Sequence, residues 1–171
     1  MDDEGEFGEE ASDDDIGKQE EKQQREQTEV EKRDAEADAV LEEALKQKAL
    51  EQANETKVGG NKLFVEGQYE EALLQYELAL QIAPDMASSF ELHSICHSNC
   101  GTCFVKLGKY EDTIKECKKA LELNPNYMKA LIRRAGSYEK LEHFEEAIAV
   151  LIYLGIGRVA RNKDMYLGTF R

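Results

Sequence analysis

The chain has 171 residues and a net charge of −14, with 34% charged residues, 8% aromatics, no Trp and four Cys. Residues 1–51 hold 20 acids against 7 bases, a net −13, whereas residues 52–171 hold 16 acids against 15 bases, a net −1. An acidic segment joined to a nearly neutral one argues against nucleic acid or an anionic membrane as the main partner; no apolar run reaches spanning length, and the acidic Met1–Glu10 is the opposite of a presequence.

These features predict a cytoplasmic protein whose cysteines are reduced thiols. Residues 1–17 are poor in hydrophobics and rich in Asp, Glu and Gly, so they predict a disordered acidic tail. Residues 18–52 lack Pro and Gly and consist mainly of strong helix formers, which predicts a charged helix. Val40, Leu41, Ala44 and Leu45 give that helix a narrow apolar stripe that is not sustained toward residue 18, which predicts a solvated helix leading into the domain rather than a coiled-coil seam; the helix is expected to engage a second protein partner.

From residue 53 the chain repeats itself. Gly60, Leu63, Gly67, Tyr69, Ala72, Tyr76, Ala79 and Pro84 have the same mutual spacing as Gly101, Phe104, Gly108, Tyr110, Thr113, Cys117, Ala120 and Pro125. A third stretch supplies Ala135, Tyr138, Glu142, Phe144, Ala147 and Leu151. The spacing matches the 34-residue tetratricopeptide pattern. Gly60, Gly101 and Ala135 let a second helix come close, Gly67 and Gly108 permit a tight turn, and Pro84 and Pro125 stop the second helix.

The reading is an all-α tetratricopeptide α-solenoid of about two and a half helix pairs. It covers residues 53–149, with repeats at 53–86, 94–127 and an incomplete 128–149. Residues 87–93, without Pro or Gly, are extra and predict longer flanking helices.

In such stacks the first helix of each pair lines a concave face. Lys57 and Asn61 are i, i+4 on one first helix, Lys129 and Arg133 are i, i+4 on another, and Asn99 lies on the helix between them. Three cations and two amides converging on one groove suit two closely spaced carboxylates, as at a peptide C-terminus ending in Asp. The competing reading of these side chains is a solvated basic face.

This constellation resembles the carboxylate clamp of chaperone-associated tetratricopeptide domains. The wider sequence resembles the tetratricopeptide repeat protein 1 family in "Lys-Val-Gly-Gly-Asn-Lys-Leu-Phe" at 57–64, "Glu-Leu-His-Ser-Ile-Cys-His-Ser-Asn" at 91–99 and "Lys-Leu-Gly-Lys-Tyr-Glu-Asp-Thr-Ile-Lys-Glu-Cys" at 106–117. The resemblance implies that Lys57, Asn61, Asn99, Lys129 and Arg133 occupy the five clamp places. It also implies that the partners are the C-terminal Glu-Glu-Val-Asp tails of heat-shock protein 70/90 chaperones. The alternative is a scaffold for internal peptide segments, indifferent to a free carboxylate.

His93, Cys96, His97, Cys100 and Cys103 have helical spacings compatible with metal, but Cys100 and Cys103 fall on inward positions of the second repeat, which predicts packing. No phosphate loop or nucleophile elbow is present, and the three His have no catalytic partner, so neither enzymatic activity nor a cofactor is expected. After Ala149 the repeat register fails. Residues 150–154 are apolar on every face and β-prone, and Gly155 and Gly157 weaken a helix. This predicts a divergent tail over 150–171, as in a truncated product of a longer form, with completion of the third pair by residues 150–154 as the alternative.

Overall fold

The computed structural model describes residues 13–167, with side chains over 18–155. Among the described residues the chain forms six α-helices and no strand: α1 (Asp13–Val65), α2 (Tyr69–Ile82), α3 (Phe90–Lys106), α4 (Tyr110–Leu123), α5 (Met128–Lys140) and α6 (Phe144–Leu167). A short 3-10 turn, Ala87–Ser89, precedes α3. The chain divides into two compact units, Met1–Leu45 and Lys46–Arg171.

In the first unit, α1 is exposed from Lys18 to Leu45, as its charged composition demands. Of the expected tail over 1–17, residues 1–12 lie outside the described residues and 13–17 form the start of α1. In the second unit the expected domain start at Ala53 falls inside α1, and Leu50 already packs on the core cluster that contains Ala53.

The hairpin turns are built alike. The backbone N–H groups of Gln68, Lys109 and His143 donate to the carbonyls of Leu63, Phe104 and Tyr138 at 2.9, 2.8 and 2.8 Å. Those of Gly67, Gly108 and Glu142 donate to Phe64, Val105 and Glu139, each at 3.1 Å. This bond pair closes a helix through one residue in the left-handed region, where glycine fits without a Cβ penalty. Gly67 and Gly108 hold φ of 82° and 72°, while Glu142 occupies the same place at φ 60°.

Glu142→Gly is therefore expected to raise stability by about 1 kcal/mol, the left-handed penalty less the extra entropy of an unfolded glycine. A thermal melt that is unchanged or lowered would reject this. Each second helix also begins on acids (Glu70 and Glu71, Glu111 and Asp112, Glu145 and Glu146), which complement the helix dipole.

Two apolar clusters join α1, α2 and α3, one around Ala53, Ala79, Leu92 and Cys96 and the other around Ala72, Tyr76, Cys100 and Cys103. A third joins α4, α5 and α6 around Cys117, Leu121, Leu131, Ala135, Val150 and Leu154. The register break after Ala149 does not interrupt α6: Val150 and Leu154 are i, i+4 and fully inward, 5% and 6% exposed. Of the helices flanking residues 87–93, only α3 is lengthened, because α2 ends at Ile82 before Pro84.

Gly60 sits where a Cβ would lie 2.8 Å from the Tyr76 ring, so α1 and α2 cross in contact there. Between α3 and α4 the link is polar as well as apolar. Ser94 Oγ donates to the Ala120 carbonyl at 3.0 Å, and Thr113 Oγ1 donates to the Gly101 carbonyl at 3.3 Å.

All four thiols are buried and free. Burial pushes Cys96, Cys103 and Cys117 up to about 11, and raises Cys100 as well. A thiol raised above its unfolded value of 9.0 favours the fold below that pH and loses this contribution as pH rises through its folded value. Melting temperature is expected to fall steeply from about pH 9 to pH 11. Disulfide-exchange labelling at neutral pH should stay slow until denaturant is added. Fast labelling of the folded chain would contradict the burial.

Candidate functional site

The first helices of the three hairpins, α1, α3 and α5, carry the five residues singled out by the repeat. Asn61 on α1 and Asn99 on α3 meet directly, with Asn99 Nδ2 donating to Asn61 Oδ1 at 3.3 Å. The same oxygen accepts the Tyr76 hydroxyl from α2 at 2.7 Å. These two bonds fix the Asn61 amide, whose Nδ2 has no acceptor among the described residues. Arg133 on α5 reaches α3, where its Nη1 donates to the Ser98 carbonyl at 3.1 Å and to Ser98 Oγ.

Asn61, Asn99 and Arg133 line one open cavity of about 240 Å³, together with Phe64, Val65, Tyr76 and Thr102. Its wall thus combines an amide pair and a guanidinium with aromatic and aliphatic side chains. Lys57, one turn earlier on α1, lines a neighbouring cleft of about 250 Å³ with Asn54, Ser88, Glu91 and Ile95, and its Nζ donates to Asn54 Oδ1 at 3.0 Å. Lys129 is exposed on the first turn of α5 and lines neither space. The fold therefore gathers three of the five residues in one cavity, sets a fourth beside it and leaves the fifth in solvent.

None of the three cations pairs with a carboxylate among the described residues. Lys57 and Arg133 bond only to neutral oxygens. Neutral partners orient a charge without cancelling it, so positive potential remains for an incoming anion. Both cations act on the α3 thiols: Lys57 partly offsets the burial shift at Cys96, and Arg133 does so at Cys103.

A separate network lies between α3 and α4. His97 Nδ1 is 2.7 Å from Glu116 Oε2, and Lys119 Nζ donates to Glu116 Oε1 at 2.7 Å. Burial raises the Glu116 carboxyl, but the bonds from His97 and Lys119 outweigh it and hold the group below its ordinary value. This network fastens α4 to α3 and lines neither cavity. The cysteines fill the core, and among the described residues no three His, Cys, Asp or Glu side chains are placed to share a metal ion.

Sequence reasoning did not find Phe64, Thr102, Tyr76 or Ser98 as parts of the site. Phe64 and Thr102 were accessible, since each follows an identified Asn by three residues on the same helix face. The contributions of Tyr76 and Ser98 depend on contacts between helices, which spacing within one helix does not encode.

The tetratricopeptide repeat family model matches residues 94–127, the α3/α4 hairpin. Mouse sperm-associated antigen 1 is 43% identical over 89 residues, which are 52% of this chain and 10% of that protein. The chain thus spans only a small fraction of that relative. Among solved structures, the second tetratricopeptide domain of Spaghetti (RPAP3), bound to the HSP90 peptide SRMEEVD, is 30% identical with a TM-score of 0.55, over 62% of this chain and 91% of that one. The second such domain of human RPAP3, in complex with the HSP70 peptide SGPTIEEVD, is 29% identical with a TM-score of 0.52, over 61% and 84%. No described helix is long and apolar enough to cross a membrane.

Proposed function

We propose that this chain, which carries a tetratricopeptide repeat domain, is an adaptor that captures the free C-terminal carboxylate of a peptide. The peptide is the Glu-Glu-Val-Asp end of heat-shock protein 70/90 chaperones. Arg133, Asn61 and Asn99 form the core of the site, with Lys57 and Lys129 closing over the ligand.

The observation that carries this reading is the single cavity in which Arg133 and the two amides meet with no carboxylate among the described residues to neutralise the guanidinium. A guanidinium reads two oxygens at once, which suits the paired carboxylates of a terminal Asp. Lys side chains are long and can rotate, so the positions of Lys57, now bonded to Asn54, and of the exposed Lys129 outside the cavity are compatible with closure on binding. The solved relatives in complex with peptides ending in Glu-Glu-Val-Asp support the same ligand class.

Ordering a flexible peptide offsets much of the gain from charge-assisted bonds, so affinity in the micromolar range, about −8 kcal/mol, is expected. The deciding experiment is calorimetric titration with a peptide ending in Glu-Glu-Val-Asp and with its C-terminal amide. Loss of binding on amidation supports the proposal. Equal binding of both forms would mean that the groove accepts internal segments instead.

A further inference from the structure

The phenol of Tyr76 stands behind the amide pair of the cavity. Tyr76 is 2% exposed and packed with Ala72, Cys100 and Cys103, yet it lines the same cavity as Asn61, Asn99 and Arg133. A phenol carries one proton, and burying that proton without an acceptor costs the desolvation of the hydroxyl. Among the described residues the acceptor it reaches is Asn61 Oδ1, at 2.7 Å. The neighbouring thiols are weak acceptors at best. Burial, and after it the thiols of Cys103, Cys100 and Cys96, push the Tyr76 pKa up, so the hydroxyl keeps its proton and stays a donor.

A side-chain amide has two ends of opposite polarity and nearly equal shape, so its partners decide which end is left for a ligand. Asn61 Oδ1 takes the Tyr76 proton and also the Asn99 Nδ2 donor at 3.3 Å, while Asn61 Nδ2 has no acceptor among the described residues. Reversing the Asn61 amide would set N–H against O–H and strand the phenol proton in the core. Asn99 is fixed in turn, because the Asn61 oxygen accepts only from the nitrogen end of its neighbour. One hydroxyl on α2 thus orders the polarity of two amides on α1 and α3.

We propose that Tyr76 is a positioning residue that makes the cavity select a carboxylate over a carboxamide, by committing the Asn61 oxygen to the protein and leaving its N–H groups to the ligand. This rests on the proposed capture of a free C-terminus. A carboxylate accepts from such donors, whereas a terminal carboxamide brings N–H groups of its own and finds donors facing them. Without the hydroxyl, Asn61 is free to reverse and offer its oxygen to the carboxamide. Tyr76→Phe therefore loses affinity for the free acid and gains tolerance of the amide, whereas a purely structural role would weaken both peptides alike.

Competition binding on the full chain, with a peptide ending in Glu-Glu-Val-Asp and its C-terminal amide, tests this. Tyr76→Phe should lower the acid-to-amide affinity ratio by at least about fivefold. Ser94→Ala, which removes another buried hydroxyl-to-carbonyl bond and lines neither cavity, should leave the ratio unchanged. In an Asn61→Ala background, Tyr76→Phe should have no further effect on the ratio, since it acts through that amide. A folded Tyr76→Phe variant with the ratio of a discriminating wild type, or an effect of Tyr76→Phe that persists in full without Asn61, would overturn the proposal. If circular dichroism shows Tyr76→Phe unfolded, Asn61→Ala alone decides, and an unchanged ratio in that variant overturns it. A wild-type chain that binds both peptides equally would defeat the capture of a free C-terminus itself, and this inference with it.

Discussion

Gly60→Val is expected to destabilise the domain by about 3 kcal/mol and to lower its melting temperature by roughly 10 °C. A single added carbon at residue 60 would already lie 2.8 Å from Tyr76 Cε1 and 3.2 Å from Gln75 Cβ. The Tyr76 ring is 2% exposed and packed with Ala72, Cys100 and Cys103, so it has nowhere to retreat without disturbing α3. Moving it also strains the bond from its hydroxyl to Asn61, so damage to the core reaches the cavity. Gly59→Ala is the internal control. There the nearest atom is Gln75 Oε1 at 3.9 Å, so the variant should be neutral or gain up to about 1 kcal/mol from helix propensity. Equal melting temperatures for Gly60→Val and Gly59→Ala would disprove the close crossing of α1 and α2.

The second large effect concerns binding. Arg133→Ala should weaken a free-acid Glu-Glu-Val-Asp peptide by about ten- to a hundredfold, the loss of one or two charge-assisted bonds. The same variant should not change the weak binding of the amidated peptide. Arg133→Lys should recover only part of the loss, because an ammonium cannot make the paired planar contact while also holding Ser98. Lys129→Ala should cost less, since its side chain is exposed and must give up rotamer freedom to engage. A larger loss from Lys129→Ala than from Arg133→Ala would move the centre of the site out of the cavity.

The parts of this molecule that the sequence foretold are those set by local periodicity. The two glycine turns, the two prolines and the small residues at helix crossings act within one hairpin, and the hairpins follow from them. The third turn shows where that logic thins: Glu142 adopts the glycine conformation because the same two backbone bonds close the helix there. At residues 150–154, apolar on all sides, periodicity carries no information. The inward pair Val150 and Leu154 is chosen by what α5 presents, namely Leu131 and Ala135.

The site was legible to a similar depth. Helical spacing put Lys57 with Asn61 and Lys129 with Arg133. It could not show that only one member of each pair enters the cavity, because that depends on side-chain reach and on bonds such as Lys57 to Asn54 and Arg133 to Ser98.

One feature of the packing governs how the domain would respond to a bound peptide. The apolar clusters form two blocks, α1–α3 and α4–α6, and hydroxyl-to-carbonyl bonds fasten the seam at α3/α4. Arg133 adds a further tie across that seam, from α5 to Ser98. A guest held by Asn61, Asn99 and Arg133 would grip both blocks at once, so occupancy would be felt as stiffness across the whole stack.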